Sequence, residues 1–253
     1  MTTVTLLHPG AMGASIGSAL TRNGHTVLWV PEGRSQTTKQ RAVDAGLEES
    51  EFRTALNRAD VVISVTPPGV AVSVAAEVAD EGFDGVYVDM NAVAPQSATQ
   101  MAALFPQFVD GGIVGPPAWE RGTTRLGLSG PRTTEVESLF AGSTIETIDL
   151  GPEIGKASAF KVGFAAWTKG SGALLLLVCA YARSQGVGSE LFQEWERRGM
   201  DMESKSKTVA QQMGLRVGVL ETKCVKFRMQ WKPLGWVPGC LNMQVRPSTV
   251  SLT

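Results

Sequence analysis

The sequence predicts an α/β protein, in which a doubly wound parallel sheet is followed by a smaller all-α domain. Short apolar runs alternate with helical segments through residue 150, which is typical of a parallel sheet covered by helices. Beyond that point no strand pattern appears before the tail. The chain has 253 residues, of which 43% are hydrophobic, so it is long enough for both parts.

The first two strands enclose a glycine-rich turn. Apolar runs at residues 4–7 and 26–30 flank a predicted helix, which His-Pro-Gly-Ala-Met-Gly at residues 8–13 opens. This order is typical of a Rossmann-type domain, in which the amides of a helix N-terminus bind a pyrophosphate. The residues predicted to bind a dinucleotide here are Gly10, Ala11, Met12 and Gly13. His8 replaces the usual first glycine, and we interpret it as a turn residue rather than a catalytic acid. A tight turn without a ligand is the alternative.

The residues after the second strand indicate which dinucleotide binds. Glu32 comes first, which suits the ribose of NAD, but Arg34 and Ser35 follow, with Lys39 nearby. A guanidinium and a hydroxyl suit the 2′-phosphate of NADP. We therefore expect NADP, with NAD as the less favoured cofactor. The alternative is that Arg34 and Lys39 belong to the solvated first turn of the next helix.

The remaining strands of the sheet lack polar alternation, as strands buried on both faces do. They are predicted at 60–65, 85–89, 108–110, 126–130 and 145–148, and the helices at 37–45, 70–79, 96–104 and 133–141, with a short helix or loop at 50–58. Clusters of turn residues follow the strands, and they include Thr66, Pro67, Asn91, Gly111 and Gly112. Because ligands of such sheets bind beyond the carboxyl ends of the strands, these clusters are expected to face one cleft.

The composition changes after this sheet, which divides the chain into three parts. Residues 1–154 form the predicted NADP-binding Rossmann domain, residues 155–200 begin a helical domain, and residues 201–253 are an atypical basic tail. A long helix is predicted at 156–185, and a second begins at 189. The most apolar stretch of the long helix, residues 171–182, is shorter than a membrane span. We therefore expect a buried helix and a homodimer rather than a membrane protein.

Charge and cysteine content exclude several classes of protein. A net charge of -1 does not suggest nucleic-acid binding, and three scattered cysteines are too few for a disulfide framework or a four-ligand zinc site. The first residues lack a secretory-signal pattern, so a reduced cytoplasmic location is expected. No metal is predicted.

The tail differs from the rest of the chain in both charge and pattern. Residues 201–253 contain eight Lys or Arg and three Asp or Glu, and residues 224–240 lack helical periodicity. We hypothesise an altered reading frame or gene model, with a basic binding tail and a disordered end as alternatives.

Six motifs in order resemble the 3-hydroxyacid dehydrogenase family, which includes 6-phosphogluconate and hydroxyisobutyrate dehydrogenases. The resemblance is greater to the phosphogluconate-dehydrogenase-like branch with a C-terminal domain of unknown function. The matching segments lie at residues 9–13, 33–35, 65–68, 89–92, 110–115 and 155–161, and the resemblance covers about residues 4–198.

The resemblance implies a reaction and the residues that carry it. Lys161 would be the catalytic acid/base. Thr66, Pro67 and Asn91 would contact the cofactor, and Asn91, Gly111 and Gly112 would contact a small-molecule substrate. A lysine among apolar neighbours suits proton transfer, because burial lowers its pKa. The family's asparagine four residues later is Ala165 here, which makes phosphogluconate an unfavourable substrate.

We therefore expect an NADP-dependent oxidoreductase that transfers hydride between nicotinamide and a small hydroxy acid or related carbonyl. Reduction of an imine or another C=X bond is the alternative within the enzymes. A non-catalytic NADP-binding protein is the alternative outside them.

Overall fold

The structure is a computed structural model that describes residues 1–212. It contains two compact units, Met1–Leu175 and Leu176–Thr253, and the second is described as far as Gln212. The hypotheses about the basic tail therefore fall mostly outside the described residues, as do Cys224 and Cys240. Residues 202–212, which were grouped with that tail, form a helix.

Strands and helices alternate through the first unit, as the apolar runs predicted. In chain order the elements are β1 (Thr3–Leu7), α1 (Ala11–Arg22), β2 (Thr26–Trp29), α2 (Gln36–Asp44), β3 (Glu48–Glu49), α3 (Phe52–Arg58), β4 (Val61–Ser64), a 3₁₀ turn (Pro68–Val70), α4 (Ala71–Asp80), β5 (Val86–Asp89), α5 (Pro95–Ala102), β6 (Phe108–Val114), β7 (Thr124–Ser129), α6 (Thr133–Leu139), β8 (Ile145–Asp149), α7 (Lys156–Ser184), α8 (Gly188–Arg197) and α9 (Met202–Gln212).

One eight-stranded sheet forms the centre of the first unit. Its strand order is β3-β2-β1-β4-β5-β6-β7-β8, and every neighbouring pair is parallel except β6 and β7. The carboxyl ends of β1, β4 and β5 therefore meet at one edge of the sheet. The predicted fold class, a largely parallel doubly wound sheet followed by helices, is confirmed.

Apolar side chains cover both faces of this sheet. One cluster contains Leu6, Ile16 and Trp29, and the other contains Tyr87 and Phe108, all of which are nearly or completely inaccessible to solvent. Burial on both sides explains why strands such as β4 read as continuous apolar runs.

Strand β6 is longer than the sequence predicted. The prediction ended this strand at Asp110, because two glycines follow, but Gly111 and Gly112 lie within the strand and pair with Leu128 and Gly127 of β7. Glycine weakens an isolated strand, and here the antiparallel partner and the close packing of α7 select the extended form. A Cβ on Gly112 would overlap the carbonyl oxygen of Ala157. The glycine therefore lets α7 lie directly on the strand.

The long helix α7 begins and ends close to the predicted positions. It spans 29 residues, and Gly186 follows it at a φ of 72°, as glycines that end helices commonly do. The apolar stretch at 171–182 was predicted to be too short for a membrane, but the helix containing it has a mean hydropathy of 1.5 over its most apolar window. By length and composition alone it is the one described helix that could cross a bilayer, which is weak support for a membrane protein.

Candidate functional site

The turn between β1 and α1 presents free backbone donors. Gly10 is the N-cap of α1, no side chain caps the first turn, and that turn holds no acidic residue. The first amides of a helix, here those of Ala11, Met12 and Gly13, have no acceptor within the helix. A Cβ on Gly13 would lie 2.5 Å from the carbonyl oxygen of His8, so a glycine is required there. This turn has the geometry and charge that a pyrophosphate needs.

His8 lies on the path from β1 into this turn. Its φ is 70°, and the other described residues with positive φ are glycines. Its Nδ1 lies 3.2 Å from Nη1 of Arg34. Burial, followed by the positive charge of Arg34, lowers the pKa of His8. A neutral imidazole therefore connects the glycine turn with the loop after β2.

Arg34 and Ser35 lie between β2 and α2, and their side chains form different contacts. The Ser35 hydroxyl caps α2 by accepting a hydrogen bond of 3.2 Å from the amide of Thr38. Arg34 is half-buried, and its Nε is inaccessible to solvent and has no hydrogen-bond partner among the described residues. The guanidinium thus retains donors beside the glycine turn.

Asn91 joins the loops that follow β4 and β5. Its Oδ1 accepts a hydrogen bond of 2.5 Å from the amide of Thr66, and its Nδ2 donates to Ser64 Oγ at 3.0 Å and to Asp89 Oδ1 at 2.5 Å. The side chain is 3% exposed. Both polar atoms of the Asn91 side chain therefore form hydrogen bonds within the protein. Through these bonds Asn91 holds Thr66 and the start of the Pro67 loop in place.

Asp89 is a buried carboxyl that was not predicted to have a role. Burial raises the pKa of Asp89 to about 7, although hydrogen bonds from Asn91 act in the opposite direction. Its position at the end of an apolar strand, two residues before Asn91, was the available signal. A buried carboxyl with this pKa makes the stability of the network dependent on pH.

Asp110 anchors the start of α7 to the sheet. Its Oδ2 accepts hydrogen bonds from the amides of Gly155 and Ser158, at 3.0 and 2.9 Å, and from the Ser129 hydroxyl at 3.3 Å. Its Oδ1 accepts from the Ser158 hydroxyl at 2.7 Å. A negative charge at a helix N-terminus is favourable. Sequence reasoning missed this role, since its partners lie far away along the chain.

Lys161 lies on the same helix, one turn beyond Ala157, and faces Gly112. A Cβ on Gly112 would come within 3.2 Å of the Lys161 Cβ. Burial, and then the nearby charge of Lys169, lower the pKa of Lys161. The lysine is therefore partly desolvated beside the strand that carries the predicted substrate-site glycines.

Lys161 also lines an open groove of about 450 Å³. The groove is lined by Pro68, Ala92, Lys161, Val162, Ala165, Ala166, Lys169 and Gly170. The loops after β4 and β5 and the first half of α7 thus meet around one lysine. Its lining is apolar apart from two lysines, and this arrangement suits a small, negatively charged molecule.

The predicted site residues fall into two groups in the structure. Arg34 contacts His8 beside the glycine turn, and Lys161 lies beside Gly112, Pro68 and Ala92. Gly111 and Gly112 lie in a paired strand, so they shape the site through their lack of side chains. The binding and catalytic roles of these residues stay predictions.

Comparisons with known proteins match the first part of the chain to a cofactor-binding family. Residues 3–93 match a family described as NADP oxidoreductase coenzyme F420-dependent. An uncharacterized 28.5 kDa protein in the 7S RNA 5′ region of Methanothermus fervidus is 30% identical over 166 residues, which are 64% of this chain and 64% of that protein. The match thus spans less than two thirds of the relative's length.

Solved structures share the fold over most of the chain. The conserved protein MTH1747, described as similar to 3-hydroxyacid dehydrogenases, is 29% identical with a TM-score of 0.68 and covers 83% of this chain and 81% of that one. A 3-hydroxyisobutyrate dehydrogenase from Mycobacterium tuberculosis is 21% identical with a TM-score of 0.62, covering 77% and 70%. An imine reductase from Myxococcus stipitatus, solved with NAD⁺, is 21% identical with a TM-score of 0.61, covering 84% and 78%. By its fold the chain is therefore 3-hydroxyacid dehydrogenase-like, with a Rossmann-type sheet followed by helices as far as residue 212, as the resemblance predicted.

Proposed function

We propose that this protein is an NADP-dependent oxidoreductase that transfers hydride between nicotinamide and a small hydroxy acid or related carbonyl. The observation that carries the proposal is the position of Lys161. This lysine has a lowered pKa and lies in a groove whose other wall consists of loops at the carboxyl ends of β4 and β5. Ligands of doubly wound sheets bind at that edge.

The cofactor would bind at the glycine turn. The uncapped amides of α1 suit the pyrophosphate, and Gly13 lets the start of α1 lie directly against the end of β1. Arg34 retains donors toward the same region, and an arginine there favours the 2′-phosphate of NADP over the ribose hydroxyls of NAD. Met12, Ser35, Thr66 and Pro67 would complete this cofactor site.

Lys161 would transfer the proton that accompanies hydride transfer. A bound nicotinamide supplies or accepts the hydride at the substrate carbon. When the substrate is oxidised, neutral Lys161 takes the hydroxyl proton, and when a carbonyl is reduced, protonated Lys161 returns it. The lowered pKa lets this amine exist in both protonation states closer to neutral pH than an exposed lysine does.

The groove favours a small acid as the substrate. Both charged side chains in its lining, Lys161 and Lys169, are cationic, and each would attract a carboxylate. Ala165 and Ala166 offer no hydrogen bonds through their side chains, whereas a sugar acid has many hydroxyl groups that need partners. A short carboxylate with one hydroxyl or carbonyl group fits these walls.

Reduction of an imine is the second candidate function. It is favoured by the shared fold of the imine reductase and by Ala165, which removes the polar side chain of the hydroxy-acid enzymes. In that reaction Lys161 would protonate the developing amine. A protein that binds NADP without turnover is the third outcome that the experiment below distinguishes.

A homodimer is part of the proposal. Val162, Phe164, Trp167 and Leu174 on α7 are 43%, 47%, 76% and 60% exposed. Large apolar side chains rarely stay exposed together on a stable monomer. A second copy that covers this part of α7 would bury them.

Purified protein should be titrated with NADPH and NADH and then assayed with small hydroxy acids, keto acids and imines. Oxidised coenzyme F420 should be included as a hydride acceptor, because the family description names it. We expect NADPH to bind more tightly than NADH and at least one small acid to react.

A matched pair of lysine variants tests the role of the side chain. Lys161→Met should lower kcat by about 100-fold or more, while the Kd of NADPH stays unchanged. Lys156→Met is the control, since Lys156 lies on the same helix and forms an exposed ion pair of 3.1 Å with Glu153. Equal activity in the two variants would contradict the assignment of Lys161.

A further inference from the structure

His8 stands where the usual pattern has a glycine, and its conformation is one that glycine adopts more easily. Its φ is 70°, in the left-handed region, which glycine adopts freely and which Asn, Asp and His adopt more often than other residues do. The contacts of the imidazole show what the side chain does at this position.

The two ring nitrogens of His8 face different loops. Nδ1 lies 3.2 Å from Nη1 of Arg34, in the loop between β2 and α2. Nε2 lies 3.3 Å from the position of a Cβ on Gly10, so this nitrogen lies beside the glycine turn. The ring therefore fills the corner between the turn predicted to hold the pyrophosphate and the loop predicted to hold the adenosine ribose.

The contact with Arg34 determines the tautomer of His8. A guanidinium has donors and no acceptor, so Nδ1 must accept this hydrogen bond and the proton of the neutral ring is on Nε2. The lowered pKa of His8 agrees with a neutral ring near pH 7.

The same contact uses only part of the Arg34 guanidinium. His8 occupies Nη1, while Nε has no partner among the described residues although it is inaccessible to solvent. The donors of a guanidinium are held in one plane, so the contact at Nη1 also fixes the direction of the donors that can bind a phosphate. An N–H without a partner in such a position gains most from an anion.

We propose that His8 positions the Arg34 guanidinium so that its donors on the sides away from His8 receive the 2′-phosphate of NADP. His8 is then a residue that determines the preference for NADP over NAD. This inference rests on the proposed cofactor site and adds to it a residue outside the predicted set.

Cofactor binding to position-8 variants tests the proposal. His8→Gly restores the usual glycine and suits the positive φ, so it removes the imidazole without new backbone strain. We expect the Kd of NADPH to rise about tenfold, as the loss of an oriented charged contact predicts, with the Kd of NADH changed less than about twofold. His8→Asn tolerates the same φ and offers an acceptor to Arg34, so it should keep at least part of the preference.

A double-mutant cycle separates positioning from independent binding. Arg34→Ala should abolish the preference for NADPH, and adding His8→Gly to Arg34→Ala should change the Kd of NADPH little further. Additive effects of the two substitutions would contradict the proposal, because two independent contacts would then act on the cofactor.

The apoprotein provides a readout that needs no cofactor. Since the chain has 2 histidines, the ¹⁵N NMR signals of the His8 ring can be assigned with His8→Gly. We expect an unprotonated Nδ1 and a protonated Nε2 at pH 7.5. A ring protonated on Nδ1 at that pH would overturn the proposal.

The failures of the two proposals can be told apart. If the natural protein binds neither NADPH nor NADH, the cofactor site is wrong, and the role of His8 fails with it. If the natural protein prefers NADPH and His8→Gly has the same preference, the proposed function stands and the positioning role is wrong.

Discussion

Removal of the Asp110 carboxylate should release the helix that carries Lys161. Asp110 accepts hydrogen bonds from the Gly155 and Ser158 amides, from the Ser158 hydroxyl and, at 3.3 Å, from Ser129. Asp110, Ser129 and Ser158 are completely buried. In Asp110→Ala these donors lose their acceptor inside the protein, where water does not easily replace it.

The magnitude follows from the number of donors. A buried donor without a partner costs about 1–3 kcal/mol, so two backbone amides and two hydroxyls, partly rehydrated in the new cavity, give a loss of about 4 kcal/mol. For a chain of this size each kcal/mol lowers Tm by about 2–4 °C, which predicts a fall of about 10 °C. Asp110→Asn keeps an acceptor for the two amides and should lose only about 1–2 kcal/mol.

Thermal and urea unfolding, followed by circular dichroism, measure these losses. Asp149→Ala is the matched control, because that exposed aspartate accepts one backbone hydrogen bond of 2.9 Å from Gly151 and should cost less than about 1 kcal/mol. A loss below about 1 kcal/mol in Asp110→Ala would refute the reasoning, as would equal losses in the Ala and Asn variants.

Three further predictions follow from the charges and exposed faces described above. Lys169→Met removes a cation that lowers the pKa of Lys161, so that pKa should rise. In the oxidation direction the acid-side limb of the pH–kcat/KM profile, which requires the neutral amine, should then move to higher pH. Asp89 has a folded pKa of about 7, so the folded state holds its proton between about pH 4 and 7 and the unfolded state does not. Unfolding free energy should therefore fall as pH rises through this range, by at most about 4 kcal/mol, and urea titrations of Asp89→Asn should lack that dependence. Trp167→Glu places a charge on the exposed face of α7 and should shift sedimentation toward the monomer, whereas a monomeric natural protein would contradict the dimer.

The sequence was sufficient to predict the parts of the fold that depend on local pattern. Strands such as β4 are continuous apolar runs, because both faces of a parallel strand are buried. Helix α7 follows from a long stretch without proline, and the glycine turn from its place between a strand and a helix. These features need no knowledge of distant residues.

Features that depend on distant partners were not predictable in the same way. Strand β6 extends through Gly111 and Gly112, because β7 pairs with it and α7 packs on it. Asp110 accepts hydrogen bonds from the amides of Gly155 and Ser158, which lie 45 and 48 positions further along the chain. The contact between His8 and Arg34 joins two loops 26 residues apart. In each case tertiary packing decides which of several local conformations is adopted.

The site shows the same division between local and distant information. Lys161 was predicted from a family motif, and the structure places it beside Gly112, while its catalytic role stays a prediction. Asn91 was predicted to contact ligands, and in the structure its amide nitrogen donates hydrogen bonds to Ser64 and Asp89, at the ends of two neighbouring strands. Residue type alone does not show whether an amide faces a ligand or another part of the protein.

The central claim is that the glycine turn of this chain binds a nicotinamide dinucleotide. Energy transfer from the protein's tryptophans to the reduced nicotinamide, measured while NADPH is titrated into the purified protein, tests it most directly. We expect saturable binding with a Kd of about 10 μM and weaker binding of NADH. No saturable signal from either dinucleotide up to about 1 mM would contradict the claim.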